Sequence, residues 1–145
     1  MVKAPAPAGC YLLVFFDLFA GTVCCLWSAG SWPSAADSAD TLAGVVTAGI
    51  AGTSMVVAGL CLRVRQPWNW QAGTIAQLVS GVAYATLATI AVSLGHRPNP
   101  GECGLDILGN LALCVAALAP AAVSFVGCVY LLCPPIKQAF GFEQH

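Results

Sequence analysis

Asp17 is the residue whose position asks most of its surroundings. It sits inside CYLLVFFDLFAGTVCCLWSA, the twenty residues from Cys10 to Ala29, a run that no other Asp, Glu, Lys, Arg or His interrupts. At about 1.5 Å per residue such a run crosses the roughly 30 Å hydrocarbon layer of a bilayer. The carboxyl then lies roughly 10 Å inside that layer, where a charge costs on the order of 2.5 kcal/mol or more. Gln77 falls at nearly the same depth in a later apolar run that starts from the same side of the membrane. Counting back along the antiparallel runs brings Ser54 and Ser124 to that level as well. Asp17, Gln77, Ser54 and Ser124 are therefore the expected intramembrane polar cluster. One chemistry open to it is a proton or cation site, since intramembrane acids often mark transport paths. The other is structural, a carboxyl hydrogen-bonded to an amide or hydroxyl across helices, worth around 1 kcal/mol. The structural reading is favoured, because only one acid lies deep and no basic residue accompanies it.

Other reactive side chains offer little organised chemistry. The eight cysteines are Cys10, Cys24, Cys25, Cys61, Cys103, Cys114, Cys128 and Cys133. No CxxC pair occurs among them, and Cys103 has no evident partner in an outer loop, so neither a disulfide scaffold nor a thiol oxidoreductase is expected. Cys10, Cys61 and Cys133 fall at the same ends of the apolar runs, where cysteines are candidates for S-palmitoylation or serve as small apolar packing residues. His96 and His145 are the only histidines and have no ligand spacing around them, so no metal site is expected. Neither a phosphate-cradling glycine loop followed by Lys nor a Ser, His and acid set is present. A catalytic role and a cofactor are not expected.

The elements that hold these residues follow from composition. Of 145 residues 59% are hydrophobic and only 8% charged, against roughly 25% charged in soluble domains. The formal net charge is -1 with five Lys and Arg, which supplies no basic patch for nucleic acid. Four apolar stretches, at about 10–30, 41–62, 71–94 and 105–132, are long enough to span a bilayer. The expected fold is a single all-α domain over residues 1–145, a four-transmembrane-helix bundle with short loops. The tail from Cys133 is expected to stop the fourth span at Pro134 and Pro135, and Pro120 sits near the middle of that span.

Charge sets the expected orientation. The link RVRQPWNW carries Arg63 and Arg65, which mark a cytoplasmic loop, followed by Trp68 and Trp70, which favour the headgroup level. Both termini then face the cytoplasm, together with Lys3 and Lys137. Asp37, Asp40 and Glu102 face outward against the single Arg97.

In the second span Gly44, Ala48 and Gly52 recur at every fourth position. Small residues in such an array let helix backbones approach closely in lipid, where packing rather than water exclusion drives association. These three are the expected helix-packing face.

With four spans, inner termini and two short outer loops, the chain resembles the MARVEL-domain tetraspans. The matching features are the acid in LLVFFDLFAGTVCCLWSA, the tryptophan-containing entry QPWNWQAG, Tyr84 in a span of small residues, and the fourth span ending CVYLL. The resemblance covers about Tyr11 to Leu132 and implies a four-helix domain that sorts or shapes cholesterol-rich membrane in vesicle trafficking or membrane apposition. The implied partners are membrane lipids, cholesterol among them, and other membrane proteins or further copies of the chain, in a plasma or vesicle membrane. The run from GTIAQLVSGVAYAT to the end of the fourth span is also similar to the claudin and peripheral myelin protein group. The first outer loop has Trp32 but lacks that group's Gly-Leu-Trp and paired cysteines, so paracellular sealing is not implied. Two alternatives remain open. One is an accessory subunit of a channel or receptor complex. The other is a small proton-coupled transporter using Asp17, suggested by the similarity of GVAYA and the first-span acid to the small multidrug resistance proteins.

Overall fold

The computed structural model describes residues 7–35, 39–64, 66–95 and 105–141. Lys3, Asp37, Arg65, His96, Arg97, Glu102, Cys103 and His145, named above, lie outside the described residues. The described residues form five helices: α1 (Ala8–Ala35), α2 (Ala39–Arg63), α3 (Pro67–Gly95), α4 (Leu105–Leu132) and the short α5 (Pro134–Ala139). Four of them are long and apolar enough to cross a membrane, and no strand occurs among the described residues. The chain is an integral, multi-pass membrane protein built as a four-helix bundle. Consecutive helices pack most closely, α1 on α2, α2 on α3 and α3 on α4.

Two boundaries lie four or more residues beyond those expected from hydropathy. Helix α1 continues past residue 30 through Trp32 and Pro33 to Ala35. Pro33 stands in the last turn, where the single hydrogen bond it removes is lost at a frayed end and not in the helix interior. Helix α3 begins at Pro67, four positions before the expected start. Proline suits the first helical position, because the N–H it lacks has no partner there in any case. The helix opens with the Trp70 N–H donating to the Gln66 carbonyl at 3.1 Å. Gln66 also accepts from Trp68 Nε1 at 2.8 Å, and Asn69 Nδ2 donates to the Val64 carbonyl at 2.9 Å. These bonds fold the short α2–α3 link back onto itself.

Helix α4 ends at Leu132, stopped at the two prolines as expected, and the tail then forms a further short helix. Pro134 and Pro135 end α4 and at once occupy the first positions of α5. Lys137 N–H donates to the Cys133 carbonyl at 3.1 Å, and the turn carries Ile136 and Phe140 into the core. There they join Cys10, Leu13, Leu62, Trp70 and Leu131 in a buried cluster at one end of the bundle. Trp70 Nε1 donates to the Leu131 carbonyl at 2.8 Å, and Lys137 Nζ sits 5.2 Å from the centre of the Trp70 ring. The start of α1 and the end of the described chain therefore meet at the same end of the bundle.

The seam between α1 and α2 is set by glycine. A Cβ added at Gly21 would stand 2.8 Å from the Gly52 carbonyl oxygen, and one added at Gly52 would stand 2.8 Å from that of Gly21. One added at Gly59 would press on Leu18 at 3.0 Å, and one at Gly49 on Ser28 Oγ at 3.0 Å. Along α2 the buried residues include Val45, Ala48, Gly52, Met55, Gly59 and Leu62, which alternate steps of three and four in the manner of a heptad seam. Steps of four alone rotate around a helix by about 40° each. The expected packing face is corrected accordingly. Ala48 and Gly52 lie on the seam, whereas a Cβ at Gly44 would meet nothing within 4 Å.

Candidate functional site: an internal polar column

Polar side chains in the spans divide by the face they occupy. Thr22, Thr47, Thr86, Thr89 and Ser93 donate to the carbonyl four residues back in their own helices, at 2.6 to 3.0 Å. They satisfy themselves and link nothing, as hydroxyls in membrane helices commonly do. The inward-facing polar groups bond between helices. Gln77, Ser80 and Tyr84 follow one another at steps of three and four on α3, so they share a face. Asp17, Cys24 and Ser28, at steps of seven and four, form the matching stripe on α1.

Gln77 Nε2 donates to Asp17 Oδ2 at 2.5 Å, and both residues are wholly buried. One turn along, Ser80 and Ser124 hydroxyls pair across α3 and α4 at 3.2 Å, again with no exposure. Beyond them Tyr84 Oη and Cys24 Sγ lie 2.8 Å apart, joining α1 to α3 a second time. Ser28 Oγ completes the series by donating to the Val45 carbonyl of α2 at 2.9 Å. The column thus touches all four spans. Around its centre Ala51, Met55, Ala83, Tyr84 and Ala121 form a buried cluster. Cross-helix bonds of this kind contribute around 0.6 to 2 kcal/mol each, and they fix the rotation of each helix about its axis.

Of the four residues expected to meet, Asp17 and Gln77 are brought together and Ser124 lies in the adjacent pair with Ser80. Ser54 is elsewhere. Its hydroxyl donates to the Ala51 carbonyl of its own helix at 2.9 Å, and it lines an apolar depression of about 830 Å³ shared with Val57, Ile75 and Val79. Depth along a helix follows from counting, but the direction in which a side chain points needs the rotation as well, and Ser54 has the depth without the direction. Ser80, Cys24 and Ser28 belong to the column although depth alone does not select them. The three-and-four spacing of Gln77, Ser80 and Tyr84 is the sequence signal that identifies the first of them.

The three juxtamembrane cysteines also separate. Cys10 is 3% exposed inside the end cluster, so an acyl chain could not be attached there without opening the core. Cys61 is half-buried and Cys133 is exposed. Among the described residues no three His, Cys, Asp or Glu side chains gather in a way that could hold a metal ion.

A lateral groove runs along the outside of the bundle where α1 faces α4. It encloses about 630 Å³ and is lined by Leu12, Phe15 and Phe16 from one helix and Val123, Val126 and Tyr130 from the other. Phe15 and Phe19 stack beside it with their rings 6.2 Å apart and 5° from parallel. No family model matches this chain, and neither does any curated protein or solved structure.

Proposed function

We propose that this protein is a non-catalytic organiser of membrane, which sorts cargo or shapes bilayer in vesicle trafficking by contacts in the plane of the membrane, in the manner of the MARVEL-domain tetraspans. The observation that carries this reading is the division of its surface. Most polar groups of the spans are turned inward or bonded to their own backbones, while Leu12, Phe15, Phe19, Val126 and Val129 stand outward around an apolar groove. Its partners in this reading are lipids, cholesterol among them, and membrane proteins or further copies of the chain. Both termini lie in the cytoplasm of a plasma or vesicle membrane, the side to which Arg63 and Lys137 point by the positive-inside rule. Acylation at Cys61 or Cys133 would strengthen partition into ordered lipid.

Affinity isolation of the full chain in mild detergent, with lipid analysis of the same sample, tests the proposal. Enrichment of sterol and of a fixed set of membrane proteins is expected. A monodisperse monomer indifferent to lipid would sink it. The accessory-subunit alternative draws on the same outward face, and recovery of one stoichiometric channel or receptor would favour it. The transporter alternative draws on the buried Asp17–Gln77 pair. It requires substrate-driven proton release that is present in the natural protein and absent from Asp17→Asn.

A further inference from the structure

The Asp17–Gln77 pair is incompletely bonded. Gln77 Nε2 serves Asp17 Oδ2, but Asp17 Oδ1 and Gln77 Oε1 are both buried with no hydrogen-bond partner. Both atoms are oxygens that accept. An ionised carboxyl leaves two acceptors facing a region without a donor, and it leaves one negative charge without an opposite charge. The described residues of the spans supply no cationic side chain beside it. Among the described residues of the four spans the only Lys or Arg is Arg63, in the last turn of α2. The remaining neighbours bring no charge either. From α2 comes Gly59, where an added Cβ would stand 3.3 Å from Asp17 Cβ, and from α4 comes Gly127, where one would stand 3.7 Å from Gln77 Cδ. Among the described residues the titratable group linked electrostatically to Asp17 is Tyr84 of α3, whose hydroxyl is bonded to Cys24 of α1. Buried polar atoms in folded proteins are paired in the great majority of cases, and intramembrane acids are neutralised or matched. Two unserved oxygens, one on an uncompensated acid and one on its amide partner, thus point to a bound positive species.

We propose that Asp17 Oδ1 and Gln77 Oε1 form an internal site for a single monovalent cation, a proton or a sodium ion, held between α1 and α3. The shared chemistry is that of a hard positive charge on oxygen. A proton on Oδ1 turns that atom into a donor and removes the charge, whereas a sodium ion uses carboxylate and amide oxygens as ligands, the oxygen types that hard cations select. Either species ties α1 to α3, helices that are not sequence neighbours. The site goes beyond the organiser reading and is independent of it, since a membrane organiser and a transporter could both contain it.

The test uses the purified full chain in detergent, with two readouts. One is the infrared carbonyl band of a neutral carboxyl at neutral pH. The other is the midpoint of thermal unfolding in sodium chloride against choline chloride at equal ionic strength. If the occupant is a proton, the band is present in the natural protein, is lost in Asp17→Asn, and the two salts give the same midpoint. If it is sodium, the band is absent and sodium raises the midpoint by several degrees, a gain that Asp17→Asn abolishes. Should Asp17→Asn fail to fold, Gln77→Met keeps the acid and removes Oε1. It is expected to move the band if the occupant is a proton, or to weaken the sodium effect about tenfold. A natural protein with neither the band nor a sodium-specific shift overturns the proposal. So does a band or shift that persists unchanged in both variants.

Discussion

Helix α1 meets α2 and α4 in different ways. Against α2 it closes to backbone distance, with Gly21 and Gly52 facing each other so tightly that neither has room for a methyl group. Against α4 it stands off, and the gap is a groove of large apolar side chains, touched at Leu13 by Gly127 and at Gly9 by Tyr130. The first interface is the kind lipid favours for permanent association, small residues that maximise van der Waals contact. The second leaves Leu12, Phe15 and Val126 exposed and thus free to meet lipid or another protein. Stability is concentrated on one side of the helix and interaction on the other.

The sharpest way to break this contrast is to enlarge the seam. Gly52→Leu forces α1 and α2 apart and is expected to cost about 3 kcal/mol or more, read as a lower unfolding midpoint in detergent and loss of the folded monomer. Gly44→Ala, on the same helix in open space, should change stability by less than about 0.5 kcal/mol. Equal effects from the two substitutions would show that the seam does not run where the glycines place it. Trp70→Phe keeps an aromatic ring but removes the bond to the Leu131 carbonyl, with an expected loss of about 1 kcal/mol in the same unfolding assay. Gln77→Leu leaves Asp17 Oδ2 without its donor and should cost around 1 kcal/mol. The smallest effect on stability is expected from the groove. Phe15→Ala with Phe19→Ala should leave the unfolding midpoint within about 0.5 kcal/mol while reducing co-isolation of partners and sterol. A large loss of stability there would mean that the groove is part of the bundle's core.

Hydropathy makes the four spans legible, because an unbroken apolar run of about twenty residues matches the thickness of a bilayer. Depth is legible for the same reason. Asp17 and Gln77 are placed at one level by the constant rise per residue, and they bond. Rotation is not legible. Gly44 and Ser54 have suitable types and depths but point away, since the sense in which each helix turns is decided by contacts made with other helices. Proline is ambiguous in two ways. Pro33 lies in what hydropathy marks as a linker and is carried in a final turn, while Pro134 and Pro135 stop one helix and also begin α5. A proline reports that one N–H is missing. Whether that ends a helix or starts one depends on which N–H groups already lack partners.

The end cluster gives the order of synthesis a consequence. Cys10 and Leu13, near the start of α1, are buried with Ile136 and Phe140, which follow them by more than a hundred residues. Helix α1 therefore cannot finish packing until α5 has been made. Until then this end of α1, with the Trp70 ring beside it, lacks the apolar cover that Ile136 and Phe140 provide. A truncation that removes only α5 would accordingly impair the maturation of a helix more than a hundred residues upstream.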